Sequence, residues 1–195
     1  MDYIIQFSQK YPNVKLMINN LPKDINHNLF CRRELDLWIG ILPFINQKDF
    51  HTKQLKELEN TLFATTTYLA QHRIKGELEK GQLGQHTFIT RFTHFKPENL
   101  LINELEDCDF KIKYEMASLD IVYAMVSKGL GIGYAPEYFI DSYKNNDIKT
   151  INISGVNYPK TVLGAVYNKG QKSKAMLVFL NGLEEFLDKK ESVGV

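Results

Sequence analysis

Apolar residues along the chain recur in two alternating periods, which predict an alternation of helices and strands. Over residues 3–11 the large apolar side chains stand at helical spacing, and this stripe ends at Pro12. Val14–Ile18 then alternates apolar with polar residues, which is typical of a half-buried strand. The chain is therefore predicted to open with a helix followed by a strand.

The same alternation continues to the end of the chain. Leu35–Leu42 has almost no polar residue after Asp36, which predicts a strand covered on both faces. The other predicted strands are 62–67, 87–92, 110–114, 130–134, 148–153 and 162–167, and the other predicted helices are 26–33, 97–105, 118–129 and 176–187. This order predicts an α/β protein with mostly parallel sheets.

The stretch from Ser118 to Ile140 combines a helix, a glycine turn and a strand. Ser118 is suited to cap the helix, and Gly129 is the residue expected at its left-handed C-terminal end. The glycines of GLGIG therefore follow a helix, whereas a phosphate-binding loop needs a strand first and a helix second. We interpret them as glycines that let a strand pass close beneath a neighbouring helix.

Composition excludes several classes of protein. The 195 residues, 44% of them hydrophobic, can bury a core as one domain or as two small lobes. Lys and Arg number 24 against 23 Asp and Glu, so the chain carries no charge excess for gripping DNA by itself. Cys31 and Cys108 lack metal-site spacing, and the chain shows neither a signal peptide nor a membrane-length apolar run. These features predict a reduced, cytoplasmic protein that is not embedded in a membrane.

Catalytic and metal-binding patterns are weak. The five histidines do not show the short spacings that metal sites favour, and none neighbours a candidate nucleophile. Asp36 stands at the entry of a predicted buried strand, where backbone capping is expected, and Trp38 is expected in the core. We therefore predict no catalytic residue, no metal and no cofactor, and we do not expect an enzyme.

Four segments resemble one family. KGLGIGYAPEYF, with the helix that Ser118 opens, closely resembles the effector-binding domain of LysR-type transcriptional regulators, which are bacterial one-component regulators. FSQKYPNVKLMI, RRELDLWIGILP and LFATTTYLAQH match further segments of the family in the family's order, and the closing residues 162–187 extend the match over nearly the whole chain.

The resemblance implies two Rossmann-like lobes of the periplasmic-binding-protein type II kind. Residues 1–66 and 162–195 would form a discontinuous first lobe, and residues 67–161 the second. Two crossing strands, near Thr65–Thr67 and Thr161–Leu163, would join them. The family's winged helix-turn-helix, its linker helix and the strand ahead of the first helix have no counterpart in this sequence, so either the chain is a fragment or a truncated reading frame, or another segment takes the strand's place.

A ligand site is predicted partly from the residues and partly from the resemblance. Open parallel sheets bind ligands at the carboxyl ends of their strands, and helix N-termini favour anions. The predicted ligand-binding residues, from both lobes, are Ser118, Thr65, Thr66, Arg91, Gly40 and Ile41. For Arg91, a carboxylate of the ligand and plain exposure to solvent are both open, and a small organic anion is the expected ligand.

The resemblance implies a regulatory domain that senses a small molecule between its lobes. DNA would be contacted through a DNA-binding domain that is absent from this sequence. A homodimer or larger assembly is expected, with 2–11 and 14–18 meeting a partner's second lobe. The alternatives are a solute-binding protein of a transporter and a small enzyme on the same two-lobe scaffold; an export signal would favour the first, and a strongly perturbed acid or base the second.

Overall fold

The computed structural model describes residues 2–19, 28–42, 50–92, 96–170 and 173–192. The chain divides into two compact units, one formed by residues 1–56 and 162–195 and the other by residues 57–161. Thr65–Thr67 lie inside the second unit. The division into lobes at 1–66 with 162–195 and 67–161 remains a prediction.

The first unit contains a three-stranded sheet and two helices in its described part. Strand β1 (Trp38–Ile41) lies at one end of the sheet order, β9 (Thr161–Asn168) in the centre and β2 (Phe50–Leu58) at the other end. The pair β1 and β9 is antiparallel, with Gly40 opposite Gly164.

The two helices of the first unit are α1 (Asp2–Lys10) and α6 (Lys174–Ser192), and they pack through aromatic side chains. The hydroxyl of Tyr3 donates to the carbonyl oxygen of Phe179 at 2.5 Å, and the ring of Phe7 lies edge-on to Phe179 at 4.9 Å. Met176 and Leu180 are buried on the apolar face that the sequence predicts for α6. Both predicted terminal helices are therefore confirmed.

Two strand predictions in the first unit are wrong. Val14–Ile18 forms no strand, and the side chains of Met17 and Ile18 are 77% and 63% exposed. The predicted doubly covered strand Leu35–Leu42 shortens to β1, where Ile39 is 39% exposed. Alternation makes a strand possible, but a strand also needs a hydrogen-bonding partner. Within the described ranges, 14–18 has no ladder partner and β1 has one neighbour in the sheet order.

The second unit is built on a six-stranded sheet in the order β4-β8-β3-β7-β5-β6. Its strands are β3 (Asn60–Thr65), β4 (Glu77–Leu78), β5 (Phe88–Arg91), β6 (Ile112–Met116), β7 (Ile132–Pro136) and β8 (Ile148–Ile153). Strand β3 is antiparallel to both of its neighbours, whereas β5 is parallel to β6 and β7, and β4 to β8. The sheet is therefore mixed, with three parallel and two antiparallel pairs, and the antiparallel course of β3 was not predicted, because periodicity does not encode strand direction.

Helices cover both faces of this sheet. They are α2 (Thr66–Gln71), α3 (Lys96–Glu104), α4 (Leu119–Ser127) and α5 (Glu137–Ser142), with a 3₁₀ helix at Lys80–Gln85. Leu62 packs in a cluster with Leu101 of α3, and the next residue, Phe63, packs in a second cluster with Val122 and Val126 of α4. Successive residues of β3 thus face opposite layers, as strand geometry requires.

The predicted helix, glycine turn and strand after Ser118 are confirmed. Ser118 caps α4, and Gly129 ends it with a φ of +73°. A Cβ added at Gly133 would lie 2.5 Å from the ring of Phe63 and 2.8 Å from a methyl of Val126. This glycine therefore allows β7 to pass directly beneath α4. No helix of the described ranges is long and apolar enough to cross a bilayer.

Candidate functional site

The strand register of the second unit brings several strand ends to one edge. Arg91 at the end of β5 lies opposite Met116 at the end of β6. Strand β7 is parallel to β5 and ends at Pro136, which lies opposite Asn60 at the start of the antiparallel β3. We call this the carboxyl edge of the sheet. It is the side on which open α/β sheets generally bind ligands.

Ser118 lies at this edge, two residues after β6 ends, and caps α4. Its backbone is extended, with φ −141°, and its hydroxyl oxygen accepts a hydrogen bond from the backbone N–H of Ile121 at 3.4 Å. The first turn of a helix presents further N–H groups and a positive dipole, which together favour an anion. The predicted capping role of Ser118 is confirmed, and its role toward a ligand remains a prediction.

Arg91 has a partner that neither sequence-based alternative included. Its Nε and one terminal nitrogen donate to the two carboxylate oxygens of Glu98, at 2.8 and 3.2 Å. The side chain of Glu98 is 1% exposed and that of Arg91 is 18% exposed. An internal carboxylate therefore neutralises the guanidinium. The sequence-based alternatives were a carboxylate of the ligand and plain exposure to solvent.

Tyr134 is a buried polar residue near this ion pair that is not among the residues predicted for the site. Its hydroxyl is buried without a hydrogen-bond partner in the described structure. Burial raises the pKa of Tyr134, the charge of Glu98 raises it further, and the charge of Arg91 lowers it. The phenol is therefore held neutral. The sequence feature that could have indicated this buried hydroxyl is the tyrosine within the otherwise apolar strand GIGYAP.

Thr65 and Thr66 lie at the opposite edge of the sheet. Thr65 ends β3 opposite Ile148, the first residue of β8, and its hydroxyl accepts the backbone N–H of Tyr68 at 3.1 Å to cap α2. Five residue steps along the strand, about 17 Å, separate it from Asn60 at the carboxyl edge. The Cβ position of Gly129, at the C-terminal end of α4, lies 3.9 Å from the Thr65 hydroxyl. The structure thus does not bring these two threonines together with Ser118, which begins α4.

Gly40 and Ile41 belong to the first unit. Both lie in β1 and are half-buried, with Ile41 opposite Leu163 of β9. A Cβ at Gly40 would lie 2.4 Å from the ring of Trp38, so the glycine makes room for the indole. These two residues therefore belong to a different unit from Ser118 and Arg91, and their role toward a ligand remains a prediction.

Two histidines that are 14 residues apart in the sequence, His72 and His86, lie close together in the structure. The rings of His72 and His86 lie 5.2 Å apart, and His86 Nδ1 lies 3.4 Å from the hydroxyl of Tyr68. Burial lowers the pKa of His86, and His72 lowers it further. His27 and His94 lie outside the described residues. In the part of the chain that the structure describes, no group of three or more His, Cys, Asp or Glu side chains could hold a metal ion.

Comparison with known proteins identifies the family. The family model described as the LysR substrate binding domain matches residues 1–188. The chain belongs to this LysR substrate-binding domain family. The prediction made from the four sequence segments is therefore confirmed.

Relatives of this LysR domain have the same fold. A probable RuBisCO transcriptional regulator of Thalassiosira pseudonana is 26% identical over 187 residues, which cover 91% of this chain and 60% of that regulator. The regulatory domain of Synechocystis PCC6803 CcmR in complex with 2-PG is 18% identical, with a TM-score of 0.77 over 95% of this chain and 89% of that one. The BenM effector-binding domain with its effector benzoate is 14% identical, with a TM-score of 0.76 over 97% and 86%. The two-lobed type II fold is thereby confirmed.

Full-length regulators extend beyond this LysR domain. The chain spans about 60% of the length of the curated relative that it matches. CbnR in complex with its target DNA is 11% identical, with a TM-score of 0.72 over 94% of this chain and 63% of that one.

Proposed function

We propose that this chain is the effector-sensing part of a LysR-type regulator and that it binds a small organic anion at the carboxyl edge of the second unit's sheet. The role is one of binding and signalling, without a catalytic step. The observation that carries the proposal is the position of the α4 N-terminus, capped by Ser118, at the carboxyl edge of the second unit's sheet.

The anionic character of the ligand follows from the electrostatics of this edge. Backbone N–H groups at the start of α4 offer hydrogen bonds and a positive dipole to a carboxylate or phosphate. The structural relatives bound to 2-PG and to benzoate support the same ligand class. Gly40 and Ile41 of the first unit remain predicted ligand contacts.

The six predicted site residues contribute unequally to this proposal. Ser118 is proposed to act directly on the ligand. Arg91 contributes if the anion takes the place of the Glu98 carboxylate. Thr65 and Thr66 cap and begin α2 at the other edge, so any influence that they have on binding is indirect.

The proposed partners are the effector, a second copy of the chain and, through a DNA-binding domain outside this sequence, DNA. The balance of 24 basic and 23 acidic residues supports assigning DNA binding to another domain, because a DNA-binding surface needs excess positive charge. A cytoplasmic location belongs to the same proposal.

A thermal-shift screen of small carboxylates and phosphates, benzoate and 2-PG among them, tests the ligand class. A binding anion should raise the melting temperature in a concentration-dependent way, since a ligand that prefers the native state stabilises it by mass action. Calorimetry would then give a 1:1 stoichiometry. Saturable binding confined to neutral or cationic compounds would contradict the proposal.

A further inference from the structure

The second unit holds a buried ion pair and a buried hydroxyl on neighbouring elements. Arg91 ends β5, and its guanidinium donates to both carboxylate oxygens of Glu98, at 2.8 and 3.2 Å. Glu98 lies in the first turn of α3 and is 1% exposed. Tyr134 lies in β7, which pairs with β5, and is fully buried. The two charges and the hydroxyl therefore belong to three elements of one sheet and its covering layer.

The strand register places Tyr134 next to the end of β5. Ile89, two residues before Arg91, lies opposite Gly133, the residue before Tyr134, and the two strands are parallel. The next step of this register puts Tyr134 beside the residue that precedes Arg91. On the strand side, the tyrosine is thus a neighbour of the arginine.

Helix α3 brings Glu98 toward the same tyrosine. Tyr134 packs in one core cluster with Leu101, and Leu101 follows Glu98 by three residues, which places these two on the same side of α3. Burial raises the pKa of Tyr134 most, the charge of Glu98 raises it further, and the charge of Arg91 lowers it. The hydroxyl therefore lies within electrostatic reach of both members of the ion pair.

The hydroxyl of Tyr134 makes no hydrogen bond in the described structure. A buried donor without an acceptor costs free energy, so it favours any state in which an acceptor becomes available. Each oxygen of the Glu98 carboxylate already receives an N–H of Arg91. The guanidinium and the hydroxyl are therefore alternative donors to one buried carboxylate.

We infer that Tyr134 is the second partner of Glu98 and takes up its carboxylate when an anion draws Arg91 away. The hydroxyl then donates to the carboxylate, and the guanidinium pairs with the anion. This exchange replaces hydrogen bonds that the buried carboxylate would otherwise lose, and an uncompensated buried charge is costly. The inference rests on the proposed anion site, and it makes α3 an element whose contacts change on binding, because Glu98 belongs to α3.

A double-mutant cycle without ligand tests the exchange, because Arg91→Met removes the guanidinium from Glu98 as an anion would. Tyr134→Phe deletes only the hydroxyl. In the wild-type background this deletion should leave the melting temperature unchanged or raise it, since the hydroxyl has no partner there. In the Arg91→Met background it should lower the melting temperature by about 3–6 °C, because a hydrogen bond to a charged group then disappears.

Tyr158→Phe is the matched control. The ring of Tyr158 lies 6.1 Å from that of Tyr134, and its hydroxyl donates to the carbonyl oxygen of Ile151 at 3.4 Å, so its removal should have the same effect in both backgrounds. Should Arg91→Met fail to fold, Arg91→Lys repeats the comparison with the same expected direction, because an ammonium lacks the fork that bonds both oxygens. Equal effects of Tyr134→Phe in the two backgrounds would overturn the inference.

Calorimetry with the tightest anion of the thermal-shift screen, benzoate and 2-PG among those offered, separates this inference from the proposed function. Tyr134→Phe should weaken binding about tenfold, because the bound state loses the replacement hydrogen bond, and Tyr158→Phe should bind as the wild type does. If Ser118→Ala weakens binding and Tyr134→Phe does not, the anion site stands and the inference is overturned. If no anion binds, the proposed function is contradicted, and the cycle alone decides whether Tyr134 partners Glu98.

Discussion

The ion pair of Arg91 and Glu98 shows how a single residue can change the interpretation of a site. A carboxylate that is 1% exposed carries a large desolvation cost, which its bidentate partner offsets. The pair is neutral, so positive charge at this edge comes from the α4 terminus and not from a free arginine. An anion can use Arg91 only by displacing Glu98.

Replacing Glu98 by glutamine should therefore destabilise the second unit. The variant leaves the guanidinium without its counter-charge, and the free energy of unfolding in urea should fall by about 2–4 kcal/mol, somewhat below a fully buried pair because Arg91 is partly exposed. Asp109→Asn is the control, because its pair with Lys111 is exposed and should change stability by less than about 1 kcal/mol. Equal effects of the two variants would contradict a structural role for the buried pair.

Buried tyrosines should make the protein sensitive to alkali. Burial raises the pKa values of Tyr134 and Tyr158, and it raises that of Tyr3 to about 12. The folded state then holds protons that the unfolded state releases, so the contribution to stability is complete below about pH 10 and is lost as pH rises toward the folded pKa values. Between pH 9 and 11, the free energy of unfolding in urea should fall less for Tyr134→Phe than for the wild type. Identical pH slopes for the two proteins would contradict this assignment.

At the scale of elements, the contact between β7 and α4 depends on the absence of a side chain at Gly133. A Cβ there would meet both Phe63 and Val126 closer than ordinary contact allows. Gly133→Ala should therefore lower the melting temperature, by an overpacking cost of about 1–3 kcal/mol. Gly81→Ala is the control, since open space surrounds that position, and it should change stability by no more than about 0.5 kcal/mol.

Elements whose instructions are local could be predicted from the sequence. Ser118 and Gly129 specify both ends of α4 through their own backbone preferences, and the structure reproduces both. The strand at 148–153 was also predicted with its exact bounds. Such features need no knowledge of distant partners.

The pairing of strands that are distant in the sequence could not be predicted from the sequence alone. Val14–Ile18 has the right alternation but no ladder partner in the described structure, and the direction of β3 against both of its neighbours has no local signature. The grouping of the predicted site residues failed for the same reason. Thr65 ends a strand and Ser118 follows one, yet the antiparallel course of β3 places them at opposite edges of the sheet.

At the scale of the whole molecule, the first unit leaves apolar surface exposed. Ile5, Met17 and Ile18 are 54%, 77% and 63% exposed, and β1 lies at an end of the described sheet order. Exposed apolar side chains and an edge strand each favour association with another chain. We therefore expect the chain to dimerise or form a larger assembly.

Sedimentation velocity at micromolar concentration measures this association. Met17→Glu should shift the chain toward a monomer, because a charge would have to be buried on pairing. Gln54→Glu adds the same charge at an exposed position of β2 and should leave the assembly unchanged. A wild-type chain that sediments as a monomer would contradict the expectation.

The central claim is that an anion binds at the start of α4, and calorimetry of two matched cap variants tests it most directly. Ser118→Ala and Thr65→Ala each remove a hydroxyl that caps a helix, so both should lower stability by about 1 kcal/mol. With the anion that the thermal-shift screen identifies, Ser118→Ala should weaken binding by about 1–3 kcal/mol, while Thr65→Ala should bind as the wild type does. Unchanged affinity in Ser118→Ala, or an equal loss in both variants, would contradict the claim.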